Sequence, residues 1–339
     1  MVITAIRCPT CNSQERREHM SYRVQGNNEE RRLYQCKGCG CYYSETKDTP
    51  LAGLHTPLSR ISEVLDALNE GMGINAAVRV FKVAKNSIYL WMSRLSGLKE
   101  TLMLYALCHQ FITLQIEGDE VYTRVGKNKP PSESEGWTII LMDRASRFIW
   151  EMSCNEKTAS LFEQAIATLV QVIAQTDELT LLTDGERRYG NLLFEICQTT
   201  IRTGKPGRPK KTFSPGVAAR IKNKGSQSRH PGRKRPKYQA PWSEHPDTTI
   251  SLADNEIHAN HLEAFNSALR RRLACFRRTT NTYAKVQPAL QIRLDVHWIW
   301  HNFVNTHFTT KLVPAVALGI LDQGFSWYHI FHLQAIKLN

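Results

Sequence analysis

The chain has 339 residues, 42% of them apolar, and a net charge of +13 from 44 Lys and Arg against 31 Asp and Glu. That length exceeds one small module, and the apolar share excludes a wholly disordered basic chain. No stretch reaches the roughly 18 apolar residues of a membrane span. The opening MVITAIRCPTC has no long apolar signal core, so a cytoplasmic protein is expected.

In chain order, the cysteines come first. Five of the nine lie within the first 41 residues, and with no secretion signal a disulfide scaffold is not expected. Cys8-x-x-Cys11 and Cys36-x-x-Cys39, with 24 residues between, form two knuckles that converge four soft thiolates. This arrangement suits tetrahedral Zn²⁺ and predicts a zinc ribbon over residues 1–50. Metal binding then supplies folding energy that fifty mostly polar residues lack. Cys41 is close enough to take the place of Cys39. Cys108, Cys154, Cys197 and Cys275 read as small buried hydrophobes.

Residues 55–100 read as three helices. Ile61, Val64, Leu65 and Leu68 share one face, Asn75 and Asn86 suit caps, and residues 82–85 hold a turn. A helix-turn-helix with Ser87, Tyr89 and Arg94 toward DNA fits this pattern; a plain three-helix linker is the alternative.

The period then changes. Strands are predicted at 111–125, 137–142, 147–153 and 179–183, with helices at 158–174 and 191–197. Three meandering strands, a helix, a strand and a helix is the order of a ribonuclease-H-like core, in which the first and fourth strands are neighbours. The fold class expected is α+β multidomain, with an α/β core over 108–310.

Residues 202–258 read as a basic insertion with little periodicity. From Arg202 to Lys237 there are 13 Lys and Arg and no acid, equal to the net charge of the whole chain. A polyanionic partner is expected there. The pieces containing Arg208 and Lys210, and Arg233 and Arg235, are similar to AT-hook cores that enter a minor groove. Plain phosphate contact is the other reading. Trp242 either stacks on an unpaired base or packs an irregular loop. Helices return at 259–277 and 289–308, the second carrying His297 and His301, which lack a third metal ligand. An apolar tail, 311–339, is expected to pack on the core.

Three acids carry the chemistry. Asp119 interrupts the first core strand, and Asp184 ends the fourth. In neighbouring strands they reach one divalent ion, and hard oxygen ligands suit Mg²⁺ or Mn²⁺. Their alternative roles are a surface acid and a helix cap. On the helix 259–277, Asn260, Glu263, Asn266 and Arg270 share one stripe beside an apolar face. Glu117, on the same strand face as Asp119, is the rival ligand; Glu120 points to the other face, and Glu186 is a weaker rival to Asp184.

Asp119-Glu120 with Val125-Gly126, Thr183-Asp184-Gly185 with Tyr189, and Asn260-His261-Leu262-Glu263-x-x-Asn266-x-x-x-Arg270 together resemble the insertion sequence one family of bacterial DDE transposases. The N-terminal zinc ribbon and helix-turn-helix match that family's end-binding part. The resemblance implies a catalytic triad of Asp119, Asp184 and Glu263, with Arg270 beyond it. It also implies DNA cleavage and strand transfer with Mg²⁺ or Mn²⁺, binding to terminal repeats and target DNA as a homo-oligomer, and a nucleoid-associated bacterial protein. The long basic stretch between the second and third acids departs from many members. The rival readings are a DNA-binding regulator with an inactive core and another nuclease of the same core fold.

Overall fold

In the computed structural model, residues 6–24, 29–127, 129–202, 207–222, 242–243, 245–247, 252–253, 256–277 and 281–335 are described. Arg233 and Arg235 lie outside them.

The N-terminal strands β1 (Arg16–Arg23), β2 (Glu30–Cys36) and β3 (Tyr42–Ser44) form a three-stranded antiparallel sheet. Its apolar centre is small: Cys8, Tyr34, Cys36 and Tyr43. The strands are short and largely exposed, so side-chain burial contributes little here. The Sγ atoms of Cys8, Cys11, Cys36 and Cys39 lie within 4.8 Å of one another. Cys41 Sγ is 3.2 Å from Cys8 Sγ, so the fifth thiol stands at the same cluster.

Helices α1 (Leu58–Asn69), α2 (Ile74–Phe81) and α3 (Lys85–Ser96) follow, then α4 (Lys99–Leu107), which the sequence pattern did not separate. The two predicted caps shift. Gly73 precedes α2 and Ala84 precedes α3, both extended and without a side-chain cap, so Asn75 and Asn86 fall inside the first turns. Lys82 adopts a left-handed conformation, φ 53°, at the turn.

These helices do not close a core of their own. Ile61, Leu65, Trp91 and Leu95 belong to one continuous apolar core with the strands and helices that follow. Polar ties cross the same boundary. Ser96 Oγ donates to Asp295 at 2.6 Å, and Lys99 Nζ lies 3.1 Å from Asp295 and 3.6 Å from Glu151.

The central sheet is built from β4 (Phe111–Tyr122), β5 (Trp137–Asp143), β6 (Ile149–Asn155), β7 (Thr176–Thr183) and β10 (Val217–Ile221), in the order β10-β7-β4-β5-β6. β4, β7 and β10 run parallel, and β5 is antiparallel to both its neighbours. The first and fourth core strands are thus adjacent, as expected. The helix α5 (Ala159–Ile173) provides the crossover before β7 by burying Leu161, Phe162, Ala165, Ile166 and Leu169.

The stretch read as an aperiodic insertion holds regular structure. It contains β9 (Lys210–Phe213), which pairs with β8 (Gln198–Ile201), and β10 itself, the fifth strand of the central sheet. Strands of four and five residues carrying Lys and Arg show no clear alternation, which is why the pattern hid them.

On the far side, α7 (Asn260–Arg272) and α8 (Gln287–Ile299) complete the core, and a short π-helical turn, Trp300–Val304, extends α8. His297 and His301 are buried. His297 Nδ1 lies 3.1 Å from Asn69 Oδ1, and His301 Nε2 lies 2.9 Å from the carbonyl of Arg147. Both are packing residues. The tail buries Trp327, Ile330, Phe331 and Leu333, and Trp327 Nε1 donates to Asp66 at 2.7 Å. No helix among the described residues is long and apolar enough to cross a membrane.

Candidate active site

The parallel pairing of β4 with β7 sets the site. Gly118 stands opposite Thr183, so Asp119 and Asp184 each lie one residue beyond that pair on neighbouring strands. Gly185, at φ 112°, then turns the chain away from β7, a conformation that favours glycine. Both aspartates are half-buried. Beneath them Tyr189 is fully buried. Burial pushes its phenol well above its ordinary value, and the nearby charges of Glu120, Asp119 and Asp184 push it in the same direction.

The helix α7 packs against β4 here. Asn266 Nδ2 donates to Asp119 Oδ2 at 2.8 Å. The Oδ1 of Asn266 is buried and has no hydrogen-bond partner among the described residues. Glu263, one turn earlier, is half-exposed and lies 3.6 Å from Lys222 Nζ. Lys222 follows β10; its backbone N–H donates to the carbonyl of Thr183, and its Nζ donates to Asn260 Oδ1. Through Asn266 and Lys222, α7 is tied to the strands that carry Asp119 and Asp184. Arg270 sits in the last turn of α7, beside Arg271 and Arg272.

The three rival carboxylates are held elsewhere. Glu117 is fully buried and takes part in a network that anchors the start of α7. It accepts from Arg144 Nε at 3.0 Å and from the Leu262 backbone N–H at 2.8 Å, and His261 Nδ1 lies 2.8 Å away. Arg144 also donates to the carbonyls of Glu256 and His258. Glu117, His258 and His261 offer three ligand atoms within 4.8 Å of one another, yet the Arg144 guanidinium already supplies the cation there. Glu120 pairs with Lys157 at 3.1 Å, and burial raises its carboxyl above the ordinary range. Glu186 caps α6 (Arg187–Ile196), and its hydrogen bond with Arg188 pulls its carboxyl down to about 2.

Glu117, Lys222 and Arg144 are contributors that sequence reasoning missed or misassigned. The partners of Glu117 on α7 are some 144 residues away, and no local signal announces them. Lys222 was counted only as one charge of the basic stretch.

The residues expected to face DNA divide. Tyr89 is 40% exposed on α3, and Ser87 is half-buried. Arg94 is turned inward: its Nη1 donates to the carbonyl of Pro50 at 3.1 Å and to that of Ala52. It ties α3 to the linker, so its guanidinium is occupied. Arg208 and Lys210 are exposed. Trp242 pairs its backbone with Ile221 and presents a 40% exposed ring, with the Arg187 guanidinium 5.6 Å from the ring centre.

No family model matches the chain. No curated protein matches it either. Among solved structures, it is similar to three complexes of the Mos1 mariner transposase. These are the paired-end complex with Mn (12% identity, 42% of this chain and 57% of that one, TM-score 0.17), the paired-end complex with the left transposon end (12% identity, 42% and 56%, TM-score 0.18) and the strand transfer complex (10% identity, 40% and 52%, TM-score 0.15). The chain matches a little over half the length of those proteins. Likenesses of this degree carry no functional inference.

Proposed function

We propose that the chain is a DNA transposase that cuts and joins DNA at a site built from Asp119, Asp184 and Glu263, and that it belongs with the insertion sequence one transposases its motif blocks resemble. The observation that supports this reading is the placement of Asp119 and Asp184, each one residue past the Gly118–Thr183 pair of adjacent parallel strands in a sheet with ribonuclease-H-like strand order. The helix α7 bonds to Asp119 through Asn266 and carries Glu263 one turn earlier.

The donor set fits a hard cation. It consists of carboxylate oxygens, and the unpartnered Oδ1 of Asn266 sits next to Asp119. Asp119, Asp184 and Glu263 would hold Mg²⁺ or Mn²⁺, whose chemistry when bound is to activate a water or a 3′-hydroxyl and to stabilise the leaving oxygen of an in-line displacement. The protein's own contribution is orientation. Asn266 fixes Asp119, Glu117 fixes α7, Lys222 brings positive charge beside Glu263, and Arg270, in the last turn of the same helix, would meet a phosphate.

Cys8, Cys11, Cys36 and Cys39 would hold one structural Zn²⁺. Tyr89, Arg208 and Lys210 are exposed for contact with double-stranded DNA, and transposition would assemble more than one copy on it. The test is a joining assay: full-length protein, Mg²⁺ and pre-cleaved DNA from the ends of the element that carries the gene. Joined product specific to those ends supports the reading. End binding without joining would favour the regulator, and cutting without preference for those ends would favour a general nuclease.

A further inference from the structure

Between α2, α3 and residues of 274–277 and 281–293 lies a cavity of about 640 Å³. That is within the range of pockets enclosing small organic ligands, about 300–1,000 Å³. Leu68, Met72, Met92 and Leu290 give it an apolar floor. Arg79, Lys85, Arg277, Lys285 and Arg293 also line it, and none of its described lining residues is acidic. Tyr89 and Tyr283 add aromatic rings.

Arg293 is the unusual member. It is only 8% exposed; its Nη1 donates to Asn69 Oδ1 at 3.1 Å, and its Nη2 has no hydrogen-bond partner among the described residues. Burial pulls its guanidinium down to about 10. A buried cation without a paired anion is costly, and an anionic ligand relieves that cost. The cavity therefore combines a desolvated positive charge, further cations, an apolar floor and aromatic rings, one of them the exposed Tyr89 of α3.

We propose that this cavity binds an unpaired nucleotide of a DNA strand, its phosphate against the cations around Arg293 and its base on the apolar floor beside the tyrosines. The DNA backbone supplies the phosphate, and stacking on aromatic rings accepts any base. A cavity of this size admits a nucleotide and excludes a duplex. The identity of the occupant rests on the DNA-processing reading above.

The test uses full-length protein without divalent metal and three probes: a short fluorescein-labelled oligodeoxythymidylate, a labelled blunt duplex and thymidine monophosphate. Arg293→Met removes the charge and keeps the bulk, and Asn69 Oδ1 still receives His297, so thermal stability should hold or rise. Ala289→Trp fills the cavity without touching a charge and carries the test should Arg293→Met lose stability. Both variants should bind the oligonucleotide about tenfold or more weakly, Arg293→Met through the loss of one charged contact and Ala289→Trp through the space the nucleotide would occupy, with a smaller change for the duplex. Wild-type affinity in both variants would overturn the proposal. So would equal losses for oligonucleotide and duplex, or a loss confined to thymidine monophosphate, which would mark a small-anion site. A wild-type protein that binds no DNA at all would instead remove the transposase reading itself.

Discussion

Replacing Glu117 by Gln separates the two acids on one strand face. Asp119 is half-buried and accepts from an amide, whereas Glu117 is fully buried and neutralises Arg144, itself only 13% exposed. Removing one partner of a buried ion pair typically costs about 3–5 kcal/mol. Arg144 keeps acceptors at Gln115, Glu256 and His258, which lowers the charge's share of that cost. Against this, a glutamine offers only one carbonyl oxygen where Glu117 meets the Leu262 N–H and His261 with separate oxygens, leaving a buried mismatch of about 1–3 kcal/mol. The two considerations together place the loss near 3 kcal/mol. Asp119→Asn should cost less, because Asp119 is only half-buried and takes neutral donors, the Asn266 amide and the Glu120 N–H. Urea unfolding of both variants measures the contrast. An equal midpoint and slope for Glu117→Gln and wild type would refute the assignment of Glu117 as the anchor of α7.

Other perturbations follow the same geometry. The full-length protein should carry one zinc per chain by metal analysis, and Cys11→Ser should lose it; a folded wild-type chain without zinc would remove the ribbon's metal. Burial pulls His301 down to about 3 and His297 well below its ordinary value, so both are neutral in the folded chain. Their contribution is complete above the unfolded value near 6.5 and is lost as pH falls from there toward about 3. His301→Phe should flatten the acid limb of a stability-against-pH curve, and an unchanged slope would contradict it. Tyr89→Ala should weaken duplex binding by fluorescence anisotropy at unchanged stability. Arg94→Ala should do the reverse, costing about 1–3 kcal/mol through its lost carbonyl contacts; matching effects of the two on DNA affinity would return Arg94 to the DNA-facing side.

What was legible in the sequence was what local chemistry fixes. The two CxxC knuckles announced four convergent thiols, and apolar runs at 137–142 and 179–183 announced central strands. The neighbouring placement of β4 and β7 followed from element order, and with it the position of Asp119 and Asp184 one residue past the Gly118–Thr183 pair. Contacts between distant segments were not legible. Glu117 looked like a rival ligand because its partners, Arg144 and His261, lie on other elements. The helices within 55–100 looked like a separate module because their amphipathic faces do not reveal that α8 covers them; Asn69 meeting Arg293 and His297 is visible only in three dimensions. Arg94 looked like a DNA contact because periodicity cannot distinguish a guanidinium facing solvent from one bonded to the carbonyls of Pro50 and Ala52.

The measurement closest to the central claim is strand transfer of pre-cleaved end DNA in Mg²⁺ by Asp119→Asn, Asp184→Asn and Glu263→Gln, each assayed beside its own end-binding affinity. Each substitution keeps side-chain shape and removes one negative charge from the donor set, so each should abolish joining while binding stays near wild type. The three losses should not add, because residues acting as a unit each cost nearly the whole activity. Full joining by any one of the three would remove that residue from the site, and full joining by all three would contradict the account.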